Sequence, residues 1–215
     1  MARRQTLGLV PTGTGNDFLK TLGVPNNWRA TCDVIARNQS RPIDVGRING
    51  RVFVNNVGVG FDAQVSIEAQ KVKGLRGQAV YMAALARTML LSYRTPQVTI
   101  ERDGETFTQS ITMLNIGNGR CSGGGFWLTP QAELGDGLLD VCVIRGLSKP
   151  RILALVSHVM KGTHVTKESV QMKRAHRITV TSPEPLPVHA DGEILYTEVK
   201  RLEIEVLPSR LTMLA

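Results

Sequence analysis

The hydrophobic pattern at the front of the chain predicts one strand, a glycine-rich loop and two helices. Residues 6–10 form an apolar run typical of a buried strand. Residues 16–22 and 27–38 carry helical spacing, and a glycine follows the first of these segments. Strand, glycine loop and helix in this order indicate an α/β unit, and the sequence contains one such unit.

Beyond Pro42 the pattern changes to short alternating segments separated by turn dipeptides. Strands are predicted at residues 43–48, 52–57, 97–101, 106–116, 138–145, 169–173, 177–181 and 202–206. Helices are predicted at residues 77–93 and between Ser148, as N-cap, and Gly162. Many short strands with few helices predict an α+β protein with a β-sandwich-like domain.

Composition and charge narrow the class of protein. The chain has 215 residues, of which 42% are hydrophobic and 20% charged, as in ordinary globular proteins. The net charge of +8 favours an anionic partner, such as nucleic acid, an acidic membrane surface or a phosphorylated ligand. A basic protein without a polyanionic partner remains an alternative. Aromatic residues make up only 5% and form no basic-aromatic stretch, which argues against nucleic acid.

The cysteines and the longest apolar stretch indicate a cytoplasmic protein. Cys32, Cys121 and Cys142 are isolated, so neither a disulfide framework nor a zinc site is expected. No signal-peptide pattern follows the basic first residues. Residues 79–91 form the longest apolar stretch, which contains Arg87 and is too short to span a bilayer.

The loop between the first strand and helix is rich in phosphate-binding features. Gly13 and Gly15 allow backbone N–H groups to approach a phosphate, and Thr14 adds a hydroxyl donor. No Gly-Lys-Ser/Thr follows, so it is not a Walker loop. A plain turn with Asn16 or Asp17 as helix cap is equally compatible with these residues.

Two further stretches concentrate oxygen ligands. Glu133, Asp136 and Asp140 surround a turn after a Gly-Gly-Gly segment and are able to hold a hard cation such as Mg²⁺. Asp191 and Glu193 flank a glycine, and carboxylates this close suit general-base chemistry. A solvated connection and a hairpin turn are the simpler alternatives. Residues 55–65 form a further glycine-rich connection, in which Asp62 is interpreted only as a helix cap.

Five stretches occur in a fixed order and together carry a resemblance. They are "LGLVPTGTGNDFLKTLGVP", "RPIDVG", "NNVGVGFDAQV", "GGGFWLTPQAELGDGLLDV" and "HADGE". In this order the chain resembles, over essentially its whole length, the diacylglycerol kinase catalytic-domain family, which includes bacterial diacylglycerol kinases, YegS-like lipid kinases and sphingosine kinases.

The resemblance implies two domains with ATP bound between them. One is a Rossmann-like α/β nucleotide-binding domain, of which residues 1–44 would be a remnant, with a strand at 207–215 returning to it. The other, residues 45–206, would be a β-sandwich that receives the lipid. In the family the Gly-Thr-x-Asn-Asp loop touches the nucleotide.

The resemblance also implies roles for the residues of that loop and of two other motifs. Gly13 and Thr14 would contact the nucleotide phosphates, and Asn16 would shape the loop. Asp17 and Asp44 would belong to a carboxylate–water–Mg²⁺ network.

The downstream motifs would supply the catalytic and structural groups. Asp191 and Glu193 would take the proton of the lipid hydroxyl, and the sequence does not separate them because coupled carboxylates titrate as a unit. A structural metal site would use the Asp136 carboxylate and the backbone carbonyls of Glu133 and Leu138.

One departure from the family is large. The family's Gly-Gly-Asp-Gly-Thr signature precedes the Gly-Thr-x-Asn-Asp loop, and no such sequence precedes Leu7. We therefore expect a chain lacking most of the first domain, with apolar edges that favour a homodimer.

The expected function is that of an ATP- and Mg²⁺-dependent lipid kinase. It would phosphorylate a primary hydroxyl of diacylglycerol, giving phosphatidic acid, at the anionic inner surface of the membrane. Phosphatidylglycerol and sphingoid bases are alternative substrates. A non-catalytic lipid- or nucleotide-binding module, a nucleic-acid-binding protein and a kinase acting on a soluble substrate such as NAD are the rival functions.

Overall fold

A computed structural model describes residues 6–13 and 15–215. Within these residues it contains ten strands, five α-helices and a 3-10 helix at Thr163–Thr166. The strands are β1 Thr6–Leu7, β2 Ser40–Ile48, β3 Arg51–Phe53, β4 Asn56–Gly60, β5 Gln97–Arg102, β6 Glu105–Gly117, β7 Leu139–Arg145, β8 Val170–Ala175, β9 Arg177–Ala190 and β10 Glu193–Leu214. The helices are α1 Asp17–Leu22, α2 Trp28–Ala36, α3 Phe61–Ala69, α4 Gln78–Leu91 and α5 Lys149–Met160.

All ten strands belong to one sheet that folds back on itself. Its main order is β3-β2-β10-β9-β4-β6-β7-β8, and β1 joins β10 in parallel. Strand β5 pairs with β6 and β9, and β4 pairs with the same two strands, so these four form a closed ring. The largest apolar cluster contains residues of these four strands and of β2, β3, β7, β8 and β10. The predicted α+β class is confirmed.

Tight turns set the registers of three hairpins. Both central residues of each turn have positive φ, which Asn, Asp and Gly adopt most readily. The turns are Asn49-Gly50, Asp103-Gly104 and Asp191-Gly192. The third turn joins β9 to β10, the two longest strands, and carries the predicted Asp-Gly-Glu motif to one end of the sheet.

Three features differ from the sequence-based expectation. The strand predicted at residues 52–57 is divided into β3 and β4, because the backbone N–H groups between them bind a side chain instead of a strand. Strands β9 and β10 are much longer than the short segments predicted. Ser148 stands at the N-cap of α5, but its side chain makes no capping hydrogen bond.

Helix α3 was not predicted. Its apolar residues are spread around the helix rather than gathered on one face, and it begins at Gly60 without a side-chain cap. Tertiary packing stabilises it instead, since Phe61 and Val65 are buried in a second apolar cluster with α4 and α5. This cluster lies against the outer side of β6 and β7.

The end of the chain packs with its beginning. Thr212 and Met213 of β10 pair with Thr6 and Leu7 of β1. A third apolar cluster gathers α1, β2 and the end of β10, and it includes Leu19, Ile43 and Met213.

Candidate active site

A polar cleft lies where the loop after β1, the β3–β4 junction and the β9–β10 turn meet. Its polar and glycine lining consists of Gly15, Asn16, Asp17, Asn55, Asn56, Asp62, Ser66, Tyr81, Ser122, Gly123, His189, Asp191 and Gly192. The cleft thus brings together residues from the predicted nucleotide loop and the predicted catalytic motif. The other predicted site residues lie outside this cleft. Asp44 is buried, Leu138 is half-buried, and Glu133 and Asp136 line a different part of the surface.

The loop before α1 is held in shape by Asn16. Its Nδ2 donates to the carbonyl of Gly13 at 2.9 Å, and its Oδ1 accepts the Gly13 N–H at 3.2 Å. Asn16 has a φ of 51°, and Nδ2 also donates to Asn26. Thr14, predicted to contact phosphate, lies outside the described residues.

Asp17 connects this loop to the glycine-rich segment after β6. Its Oδ2 accepts the backbone N–H of Gly124 at 2.6 Å, and its Oδ1 accepts from Lys20 Nζ at 2.7 Å. The thiol of Cys121 donates to the same Oδ1 at 3.3 Å. Burial, together with the charge of Asp17, raises the pKa of Cys121 to about 12, so this thiol stays neutral.

Asp191 is fixed by backbone hydrogen bonds. Its carboxylate accepts the N–H groups of Val54, Asn55 and Asn56 at 2.7, 2.8 and 3.0 Å. Glu193 is exposed and makes no side-chain hydrogen bond to any described residue. The geometry therefore distinguishes the two carboxylates: one holds the turn, and the other faces solvent.

Asp44 is buried away from the cleft. Its Oδ2 accepts the N–H of Gly137 and its Oδ1 accepts the N–H of Ser209, both at 2.7 Å. Its backbone N–H donates to the carbonyl of Leu134. Asp44 thus ties the loop of residues 133–138 to a bulge in β10.

That loop carries the predicted metal ligands. Asp136 Oδ1 accepts the N–H of Leu138 at 3.0 Å, whereas Oδ2 is buried without a hydrogen-bond partner among the described residues. Arg174 approaches Oδ2 only to 3.5 Å. A buried carboxylate oxygen without a hydrogen bond fits a hard cation. The backbone carbonyls of Glu133 and Leu138 belong to the same loop, and the metal site stays a prediction.

A second, apolar cavity of about 80 Å³ adjoins the cleft. It is lined mainly by Phe61, Val65, Leu85, Met113, Phe126, Leu128, Ile144, Leu147, Ile152, Leu155, Val156 and Val159. A cavity this apolar suits an apolar ligand. Four residues line both spaces and form the threshold between them: Asp62, Tyr81, Ser122 and Gly123.

The polar group beside this threshold was missed by the sequence analysis. Asp62 Oδ2 accepts from His189 Nε2 at 3.1 Å and from Asn115 Nδ2 at 3.3 Å. The sequence pattern indicates only a helix cap for Asp62, and it assigns no role to His189, two residues before Asp191. The signal available in the sequence was Gly58, since a glycine within a strand indicates close approach of other groups. In the structure, a Cβ at this position would lie 2.2 Å from both Asp62 Oδ2 and His189 Nε2.

Comparison with known families matches nearly the whole chain. The YegS C-terminal NAD kinase beta sandwich-like domain covers residues 55–215, and the diacylglycerol kinase catalytic domain covers residues 1–48. The chain belongs to the diacylglycerol kinase and YegS-like lipid kinase family. These matches confirm the resemblance described in the sequence analysis. They also confirm that the larger part of the chain is β-sandwich-like.

Individual relatives agree with this assignment. Diacylglycerol kinases of Bacillus subtilis and Mycobacterium tuberculosis are 30% and 32% identical over 88% and 97% of this chain. The chain spans 63% and 68% of their respective lengths. A crystal structure of a Bacillus anthracis protein named as a diacylglycerol kinase superposes with a TM-score of 0.79 at 27% identity, covering 100% of this chain and 69% of that protein.

In the part of the chain that the structure describes, no helix has the length and apolarity needed to cross a membrane.

Proposed function

We propose that the chain acts in ATP- and Mg²⁺-dependent transfer of the γ-phosphate to a primary hydroxyl of a membrane lipid, with diacylglycerol as the first expected acceptor. The observation that carries this proposal is the apolar cavity that joins the polar cleft at the threshold residues. A lipid chain in the cavity would bring its polar end into the cleft, where Gly15, Asn16 and Asp17 lie. Phosphatidylglycerol and sphingoid bases remain the alternative acceptors.

The residues of the cleft, together with Gly13 and Glu193 beside it in sequence, suit phosphoryl transfer, which depends on positioning and charge neutralisation. Gly13 and Asn16 present the loop to the nucleotide phosphates, and Asp17 supplies a carboxylate for the nucleotide's Mg²⁺ network. Glu193 is the proposed acceptor of the lipid hydroxyl's proton. Asp191, whose oxygens already bind three N–H groups, holds the turn that carries Glu193.

A second Mg²⁺ is proposed at the loop of residues 133–138. Asp136 would bind it through its carboxylate, and Glu133 and Leu138 through their carbonyls. When bound, the ion would neutralise the Asp136 carboxylate and stiffen the loop. Asp44 would act through this loop rather than on the nucleotide directly, because its oxygens already bind Gly137 and Ser209.

We also propose a cytoplasmic protein that binds peripherally to the inner membrane surface. Leu90 and Leu91 at the end of α4 are exposed, and the chain carries a net charge of +8. Exposed apolar side chains on a chain of positive net charge favour contact with anionic lipid. The division into residues 1–44, 45–206 and 207–215, and a homodimer, remain predictions.

Radiolabelled ATP with vesicles containing diacylglycerol tests the proposed function. Transfer of label to the lipid, lost in Glu193→Gln, would support it. Vesicle binding without transfer under any ionic condition would instead favour a lipid-binding module. Glu198→Gln is the matched control, since Glu198 is an exposed acid on the same strand and should leave transfer unchanged.

A further inference from the structure

The apolar cavity is too small for the ligand that the proposed function assigns to it. Its volume is about 80 Å³. An apolar cavity of roughly 150 Å³ holds a molecule the size of benzene, and a long acyl chain is larger than benzene. A lipid chain therefore enters this cavity only if part of its wall moves.

Most of the cavity wall consists of elements that are held by many contacts. Strands β6 and β7 are hydrogen-bonded to other strands along both of their edges. Helices α4 and α5 contribute side chains such as Leu85 and Leu155, which are buried in the second apolar cluster. Moving these strands would break ladder hydrogen bonds, and moving these helices would expose apolar surface to water. The remaining part of the wall is the segment of residues 122–126, called loop 122–126 below.

Loop 122–126 separates the cavity from the polar cleft. Ser122 and Gly123 line both spaces, and Phe126 lines the cavity. Backbone hydrogen bonds join Ser122 to Gly125 and Phe126, so they close the loop on itself rather than tie it to its surroundings. The three glycines in its middle have φ values of 60°, 77° and 135° and carry no side chain that anchors them. Outward movement of the loop would take Phe126 out of the wall and enlarge the cavity.

Asp17 holds the loop in its observed position. The N–H of Gly124 donates to Asp17 Oδ2 at 2.6 Å, and among the described residues this is the hydrogen bond that joins loop 122–126 to the rest of the chain. The thiol of Cys121, just before the loop, donates to Oδ1 at 3.3 Å. The Asp17 side chain is only 10% exposed, so little water competes for these bonds. One charge-assisted hydrogen bond therefore keeps the loop closed over the cavity.

Resting on the proposed binding of a lipid chain in this cavity, we propose that loop 122–126 is the gate of the cavity and that Asp17 is its latch. The closed gate excludes the chain, and loss of the bond between Asp17 and Gly124 opens it. Asp17 also belongs to the loop proposed to bind the nucleotide. The gate thus stands between the nucleotide loop and the lipid cavity, and Asp17 acts on the lipid through the position of the gate.

Binding of dioctanoylglycerol without nucleotide tests the gate. The emission of Trp127, which directly follows the gate residue Phe126, would report binding in a Trp28→Phe background that removes the other tryptophan. Gly124→Ala should destabilise the closed gate, because alanine is disfavoured at a φ of 77°. Its Cβ would stand 3.6 Å from the nearest atoms, an ordinary contact distance, so the strain lies in the backbone.

This variant should bind the lipid more tightly than the wild type. The apparent affinity of a protein is reduced by the fraction of molecules that are competent to bind, and Gly124→Ala raises that fraction. The left-handed penalty of a non-glycine residue corresponds to an apparent Kd lowered by about fivefold to thirtyfold.

A matched control and a second variant keep this test decisive. Gly104→Ala introduces the same kind of strain at a φ of 93° with no atom within 4 Å, but in the β5–β6 hairpin, and should leave the affinity unchanged. Asp17→Ala removes the latch itself and should tighten binding in the same direction. Hydrogen exchange at the Gly124 amide should be faster in Asp17→Ala than in the wild type. Circular dichroism would check that each variant is folded.

The gate is refuted if either folded variant, Gly124→Ala or Asp17→Ala, binds dioctanoylglycerol no more tightly than the wild type. An equal gain in Gly104→Ala would refute it as well. Transfer of label to the lipid judges the kinase function separately. Tighter binding by both variants without transfer would retain the gate and reject that function, whereas transfer with unchanged affinities would reject the gate alone.

Discussion

Asp191 and Asn56 bind each other through two hydrogen bonds. The Asp191 N–H donates to the Asn56 carbonyl at 2.9 Å, and the Asn56 N–H donates to Asp191 Oδ1 at 3.0 Å. This pair joins the β9–β10 turn to the start of β4 and so fixes the position from which Glu193 extends.

Asp191→Asn should therefore reduce stability more than Glu193→Gln. An amide has one acceptor oxygen, so at least one N–H group at the β3–β4 junction would lose its partner, at a cost of about 1 to 3 kcal/mol. Urea denaturation would measure the difference, and Glu193→Gln should leave the unfolding midpoint unchanged. Equal stability of the two variants would contradict a structural role for Asp191.

Asp44→Asn should destabilise the chain by about 1 to 3 kcal/mol, because one of two N–H groups bonded to this buried carboxylate would lose its acceptor. Those groups belong to Gly137 and Ser209. Chemical denaturation would measure the loss, with the exposed Asp33→Asn as control. Hydrogen exchange at Gly137 and Ser209 should accelerate in the variant, and unchanged protection at both would refute the proposed link.

Mg²⁺ should raise the thermal midpoint of the wild-type chain and have little effect on Asp136→Asn. At about a hundred times its Kd, a ligand that binds only the folded state stabilises by about 2.7 kcal/mol. Glu133→Gln is the matched control, since that residue would bind through its backbone carbonyl and should retain the response. The proposed Mg²⁺ site is wrong if Mg²⁺ raises the thermal midpoint of Asp136→Asn as much as that of the wild type at matched ionic strength.

Glu68→Gln should destabilise the α3–α4 pair in a pH-dependent way. The hydrogen bond from Lys71, with help from Arg87, holds the pKa of Glu68 below its ordinary value of 4.5. A depressed pKa contributes stability above the unfolded-state pKa, and this contribution disappears as the pH falls through the folded-state pKa.

The difference in unfolding free energy between wild type and Glu68→Gln should therefore be greatest near neutral pH and shrink below about pH 4.5. Urea unfolding across this range would measure it. Glu101→Gln, on an exposed position of β5, should show no such trend. A difference independent of pH would indicate lost packing rather than lost charge.

Local chemistry allowed much of the fold to be predicted. Asn-Gly and Asp-Gly favour the positive φ angles of a two-residue hairpin turn, so Asn49-Gly50 and Asp103-Gly104 marked two turns correctly. Both helices were located to within a few residues, α4 by its apolar run and α5 by Ser148 at its start and Gly162 after its end. The ordered motifs were sufficient for the family, because each depends on residue type and spacing alone.

Long-range contacts decided the rest. Helix α3 lacks an apolar face and a cap, so only packing against its neighbours makes it helical. Asp191 and Glu193 are alike in sequence, and they differ because only Asp191 meets the N–H groups of the β3–β4 junction.

The order of motifs by itself determined that this is a lipid kinase family chain with a glycine loop and an Asp-Gly-Glu turn. Only the tertiary structure decided that Asp62 and His189, 127 residues apart, form one polar group beside an apolar cavity. The reason is physical: β4 and β9 meet through closure of the sheet. That closure is driven by apolar burial across the whole core, which no local pattern around either residue encodes.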